Sequence, residues 1–231
     1  MQRFDRGADG RATRNRSRWR HRHTPPGTRE LPAWSVIDAG LYCYLLGCYL
    51  GDGHVEHRPR NGWTLRLACD RAYPEIMEES VAAMAATFPP ARPTRRGASS
   101  EASDILSISH PGIGAAFPQH GSGPKHTRRT ALEPWQRAFT ETHPRALIRG
   151  LIHSDGCRVI NRFRTALPSG RLAEYAYPRY FFSNVSTDIR EIFREHCGLL
   201  GVRVTQSNPR NLTVSHRDGV AILDTFVGPK T

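Results

Sequence analysis

Two aspartates, Asp52 and Asp155, stand 103 positions apart, each next to last in a copy of one nine-residue pattern. The first copy is Leu45-Leu46-Gly47-Cys48-Tyr49-Leu50-Gly51-Asp52-Gly53, the second Ile148-Arg149-Gly150-Leu151-Ile152-His153-Ser154-Asp155-Gly156. Each joins an apolar run to two small residues four positions apart, then to an acid. On a helix Gly47 and Gly51 share a face, as do Gly150 and Ser154. Two such faces can pack backbone to backbone, setting both carboxylates side by side at the end of a helix seam. Each aspartate would there face the negative end of its own helix dipole and the charge of the other. A divalent cation relieves both, because hard cations take carboxylate oxygens and water. Held between carboxylates, such a cation can polarise a phosphate and activate a water for in-line attack. The competing reading, Asp-Gly as a plain helix-ending turn, suits one copy better than a duplicated pair.

The charge of the chain indicates what such a site would act on. Over 231 residues the net charge is +12 and the pI near 10.2. That balance points to an anionic partner, since phosphate contacts dominate nucleic-acid affinity. Arginine supplies nearly all the positive charge, and the two lysines are Lys125 and Lys230. No apolar run is long enough to span a membrane, and no apolar segment follows the basic N-terminus as a signal peptide requires. A cytoplasmic, nucleoid-associated protein is expected. The five cysteines include no C-x-x-C pair, so Cys43, Cys48 and Cys157 read as small hydrophobes and not as zinc ligands. No H-E-x-x-H or His-Asn-His nuclease spacing is present.

The elements that must position the aspartates occur twice. Residues 1–34 form a basic arm; its first 30 residues carry nine arginines and three acids, too few apolar groups to fold, and they suit DNA binding. Ser35 with Asp38 predicts a capping-box start for the first motif helix. An alternating segment, Trp63 to Cys69, predicts a hairpin with residues 54–57, turning at 58–62. A helix with Ile76, Met77, Val81, Met84 and Phe88 on one stripe stops at Pro89-Pro90. A strand pair ending at Ser107-Ile108-Ser109-His110, then a short helix with Ile113 and Phe117, complete the first half. The second half repeats this order with a longer hairpin, about 158–184, turning at Pro168-Ser169-Gly170. Its later strands are placed around Val202-Arg203-Val204 and residues 212–216. His110 and His216 lie 106 apart and Lys125 and Lys230 lie 105 apart, close to the spacing of the aspartates. Three near-equal offsets predict an internal duplication.

From about residue 36 to 230 the chain resembles the LAGLIDADG (dodecapeptide, DOD-type) homing endonucleases in their single-chain, two-motif form. The resemblance implies an α+β fold of two pseudo-symmetric αββαββα half-domains, here 35–138 and 139–231, whose antiparallel sheets form a saddle on double-stranded DNA. It implies a monomer and a divalent cofactor, Mg²⁺ or Mn²⁺, held by Asp52 and Asp155. The residues before them, Gly51 and Ser154, are further candidates through their carbonyls. The sixth motif position, often acidic in the family, is Leu50 in one copy and His153 in the other; it usually faces away from the metal. Family members commonly bring a lysine to each metal site from the sheet, and no lysine lies in a predicted strand here. Lys125 and Lys230, after the last helix of each half, are the catalytic candidates, with a solvated loop lysine as the rival reading.

DNA contacts are expected from strand faces turned away from the helices, at Thr64 and Arg66 in the first half. Arg158, Arg162, Arg164 and Arg171 are the candidates in the second, with Arg66 and Arg158 also able to stabilise charge at the site. His110 and His216 read as a shared structural hydrogen bond. The implied activity is site-specific double-strand DNA cleavage by Mg²⁺-dependent phosphodiester hydrolysis. The alternative is a non-cleaving DNA-binding transcriptional regulator on the same fold, favoured by the missing strand lysines and disfavoured by the two retained aspartates.

Overall fold

A computed structural model describes residues 38–58, 62–99 and 102–228. The basic arm and Lys230 therefore lie outside the described residues. Helix α1 (Ala39–Asp52) buries every residue from Tyr42 to Leu50, as expected of a helix that is apolar all round. Its start differs from the capping box predicted at Ser35. Asp38 is the cap, its Oδ1 accepting the Leu41 amide at 3.0 Å, which satisfies a donor the first helical turn leaves open.

Strands β1 (Gly53–Arg58) and β2 (Gly62–Asp70) follow, then α2 (Pro74–Thr87), β3 (Thr94–Gly97), β4 (Ser103–Ser109) and α3 (Ile113–Ala116). The order repeats in α5 (Pro144–Asp155), β5 (Gly156–Ala166), β6 (Leu172–Ser183), α6 (Thr187–Leu199), β7 (Thr205–Gln206), β8 (Asn211–Val214) and α7 (Arg217–Asp224). Each set of strands makes a four-stranded antiparallel sheet, ordered β1-β2-β4-β3 and β5-β6-β8-β7. The two orders are the same, so one plan is used twice.

Three further details depart from the sequence-based expectation. A helix that was not predicted, α4 (Pro134–Thr142), lies between the repeats and opens with a capping box of Glu133 and Gln136. The Gln136 side chain donates to the Tyr42 hydroxyl at 2.8 Å, which ties α4 to the central helix. Residues 202–204 are not a strand. Gly201 takes φ +70° and the Val202 amide donates to the Cys197 carbonyl at 2.9 Å, so this stretch caps α6 in a Schellman-like turn. Finally, His110 and His216 keep equivalent places before α3 and α7 without sharing a bond. His110 Nδ1 accepts the Gly112 amide at 3.0 Å, whereas the exposed His216 lies 3.7 Å from the Asp218 carboxylate.

Gly198, in the last turns of α6, has open space where a Cβ would stand. Gly198→Ala is expected to raise stability by about 0.5–1 kcal/mol, because alanine loses less backbone freedom in a helix. Denaturant unfolding measures this; a midpoint lower than wild type would contradict it.

Candidate metal centre and nucleic-acid interface

The two motif helices meet at their small residues. A Cβ on Gly47 would lie 2.5 Å from the Leu147 carbonyl oxygen and 2.7 Å from the Leu151 nitrogen. A Cβ on Gly150 would run into the Tyr44 carbonyl oxygen and come within 3.0 Å of the Cys48 nitrogen. One turn further on, a Cβ on Gly51 would strike the Ser154 side chain and lie 3.1 Å from the Asp155 carboxyl carbon. The helices thus pack main chain against main chain, and both end at an aspartate followed by an extended glycine, Gly53 or Gly156.

Asp155 is half-buried, and its Oδ2 accepts the Asn184 side-chain amide at 2.5 Å. Asp52 is exposed and opens onto the first sheet. Lys125 joins the two acids. Its ammonium donates to the carbonyls of Tyr49 at 2.5 Å, Leu50 at 3.0 Å and Gly51 at 2.7 Å. The last turn of a helix leaves carbonyl capacity unused, so the lysine caps the negative pole of α1. Burial pushes the Lys125 ammonium down to about 8, against the opposing pull of Asp155 and then Asp52. Lys125 is therefore half-buried beside the two acids and is not a solvated loop lysine. Its position depends on the chain between α3 and α4 folding back over α1, which no local pattern signals. Asn184, just after β6, had no sequence signal either.

The other motif residues turn elsewhere. Ser154 returns its hydroxyl to the Gly150 and Leu151 carbonyls, both at 3.0 Å. Leu50 is fully buried, and His153 is enclosed between the Tyr44 hydroxyl at 3.0 Å and the Val227 carbonyl at 2.8 Å. The sixth motif position thus packs into the protein in both copies. Among the described residues no group of three or more His, Cys, Asp or Glu side chains is placed to hold a metal ion. The donors on offer for a cation are two carboxylates and the neighbouring carbonyls, all hard oxygens.

Strand register settles which side chains face away from the helices. In the first sheet Leu65, Leu67, Leu106 and Ile108 are buried. The other face carries His54, Thr64, Arg66, Arg96, Ser107 and Ser109, which with Asp52 line a groove of about 590 Å³. Thr64 and Arg66 lie where strand alternation puts them. Thr64 bonds Ser109 at 2.8 Å, and Arg66 pairs with Glu56 at 3.1 Å. A second recess, of about 460 Å³, holds Asp155, Lys125, Asn184 and Arg210 and shares His54 with the groove.

In the second sheet the arginine candidates fall on the other side of the strand. Tyr180 and Phe182 are buried, and their cross-strand partners are Arg158 and Gly156. Side chains alternate along a strand, so Arg158, Arg162 and Arg164 share the helix-side parity. Arg158 forms a two-pronged bond to Asp224 at 2.8 and 2.9 Å, and the Tyr180 hydroxyl donates to the same carboxylate at 2.6 Å. Arg164 pairs with Glu174 across the hairpin, and Arg171 is exposed beside the turn. The face turned away from the helices instead presents Val159, Asn161, Phe163, Tyr175, Tyr177 and Arg179. Alternation with Tyr180 and Phe182 was the signal that could have found them.

No protein-family model and no curated protein matches the sequence. Among solved structures the chain is similar to I-DmoI in complex with DNA and Mn, at 17% identity over 84% of this chain and 99% of that one, TM-score 0.55. It is similar to the LAGLIDADG meganuclease I-AabMI bound to uncleaved DNA, at 8% identity over 80% and 83% of the two chains, TM-score 0.51. The homing endonuclease I-WcaI bound to its DNA recognition sequence matches at 11% identity over 85% and 84%, TM-score 0.50. At these identities the likeness concerns the fold, which is that of the LAGLIDADG homing endonucleases.

Proposed function

We propose that this chain is a divalent-metal-dependent, site-specific double-strand DNA endonuclease. The observation that carries the reading is the meeting of Asp52, Asp155 and Lys125 at the end of one helix seam, beside a polar groove. Two carboxylates on packed helix ends, with main-chain oxygens beside them, fit Mg²⁺ or Mn²⁺. Asp52 and Asp155 would hold the ion, with the carbonyl of Ser154 as a further donor, while that of Gly51 already accepts the Lys125 ammonium at 2.7 Å. When bound, such an ion supplies Lewis-acid polarisation of a phosphate and a more acidic water. The chain's own residues do the remainder. Asn184 orients the Asp155 carboxylate, and the Lys125 charge offsets the two acids and can stabilise charge on a phosphate. Thr64, Arg66, Arg96 and Arg179 would meet the duplex, mostly through phosphates. Related folds bound to DNA, one of them with Mn, support the same reading. Both motifs lie on one chain, so a monomer suffices, and its unequal hairpins suit an asymmetric target. No described helix is long and apolar enough to cross a membrane.

The regulator alternative draws on the absence of lysine from the strands. Lys125, arriving from the segment after α3 and lying near both aspartates, favours the nuclease. The deciding experiment incubates the full chain with a randomised duplex library and Mg²⁺ or Mn²⁺, then sequences cut and bound molecules separately. Cut duplexes sharing a site, abolished by a chelator, are expected.

Lys125→Met keeps the apolar stem and removes the charge. Single-turnover cleavage is expected to fall by about 10²–10³-fold, the usual cost of removing one electrostatic stabiliser. Lys125→Arg is not expected to restore it, because a planar guanidinium cannot replace a compact ammonium among three carbonyls. Wild-type cleavage by Lys125→Met, with only the melting temperature lowered, would leave the lysine as a helix cap. Deleting residues 1–30 is expected to flatten the salt dependence of binding without changing the preferred site. The log–log slope should fall by about 0.9 for each phosphate that the arm neutralises in the intact chain. A changed site with an unchanged slope would contradict this.

A further inference from the structure

We propose that the β5–β6 hairpin reads a thymine-rich half of the target through thymine methyl groups, while the first sheet reads its half by hydrogen bonds; this rests on the DNA reading above. The two open faces differ in chemistry. That of the first sheet is polar, with Arg66, Arg96, Thr64 and Ser107. That of the hairpin carries an aromatic ladder. Phe163 and Tyr175 are cross-strand partners with ring centroids 5.3 Å apart, and the Tyr175 and Tyr177 rings stack at 5.9 Å, tilted by 15°. Val159, Phe163 and Tyr177 are 37%, 45% and 50% exposed on this face, where the rings of Phe163, Tyr175 and Tyr177 adjoin. Ile160 and Leu172 stand exposed on the reverse face, apart from these rings. Exposed apolar surface gathered in one place marks an interaction site.

Its surroundings identify the occupant. Arg179 closes the ladder at the base of the same face, with its guanidinium 5.5 Å from the Phe181 ring centre. Arg162 and Arg164 project from the reverse of the same strand, and Arg171 stands beside the turn. The acid within the hairpin, Glu174, is paired with Arg164. An apolar strip with Arg179 at its base and Arg171 beside its turn suits a partner whose flanks are anionic and whose centre offers a hydrocarbon. The DNA major groove admits a two-stranded ribbon, and the apolar group on its base edges is the thymine C5-methyl. The base of the hairpin runs to Ser183, which lines the recess holding Asp155, so a duplex at the site would continue along this face.

The test uses the full chain and the duplex it selects from a randomised library, with thymine replaced by deoxyuridine in one half at a time. Deoxyuridine keeps every hydrogen-bonding group and removes the methyl. Binding is expected to weaken about fourfold per contacted thymine, the value of one buried methyl-sized group, and in one half only. The exposed-residue variants Phe163→Ala and Tyr177→Ala should bind that half less tightly and lose the distinction between thymine and uracil. Equal binding of thymine and uracil duplexes in both halves would overturn the inference and leave the nuclease standing. So would discrimination that survives in both variants. Tighter binding of a single strand than of any duplex, abolished by Phe163→Ala, would overturn it too and assign the ladder to base stacking. A chain that selects no duplex and no single strand would overturn the proposed function and this inference together.

Discussion

Asp52→Asn or Asp155→Asn is expected to reduce Mg²⁺-dependent cleavage by on the order of 10³-fold or more, while DNA affinity is held or improved. Each change is isosteric and removes one of two charges that would hold the ion. Asparagine at 155 still presents an oxygen to the Asn184 amide, now 2.5 Å from Asp155, so the site keeps its shape. Loss of a negative charge near phosphate favours binding, which separates a metal effect from a folding effect. Single-turnover cleavage and a binding titration on the same duplex measure the two. If wild type binds a defined site and leaves it uncut with Mg²⁺ or Mn²⁺, and the substitutions are nearly silent, the regulator reading holds.

The second large effect is on stability. Gly150→Ala places a methyl on the Tyr44 carbonyl oxygen and 3.0 Å from the Cys48 nitrogen. Both obstacles are main chain in the buried part of α1, so no side chain can swing aside. Overpacking of this kind costs on the order of 1–3 kcal/mol or more. Gly47→Leu, which meets the Leu147 carbonyl oxygen at 2.5 Å from its Cβ alone, is expected to cost at least as much. Denaturant unfolding should show midpoints well below wild type for both, in the opposite direction to Gly198→Ala. A Gly150→Ala protein as stable as wild type would mean that the helices do not touch at their glycines.

Much of the site was legible in the sequence because its determinants are local. The four-residue spacing of Gly47 with Gly51, and of Gly150 with Ser154, encodes a helix face directly, and the acid that follows is placed by the same period. Alternation from Trp63 to Cys69 likewise put Thr64 and Arg66 on the face away from the core. The hairpin of the second half shows the limit of counting charges. Its arginines carry the charge, yet Tyr180 and Phe182 are the residues that decide which face is buried. Once they pack inward, alternation sends Arg158, Arg162 and Arg164 to their side and Phe163, Tyr177 and Arg179 to the other.

What the sequence determined by itself is therefore the pair of aspartates, the helix seam beneath them and the doubled order of elements, since each follows from spacing within a few residues. The tertiary structure decided the rest. Lys125 reaches the Tyr49, Leu50 and Gly51 carbonyls from 74 or more positions away, and Asn184 reaches Asp155 across 29. Such contacts are chosen by where whole elements pack and by which main-chain groups are left there to be satisfied. Neither the residue types nor their local period records that choice.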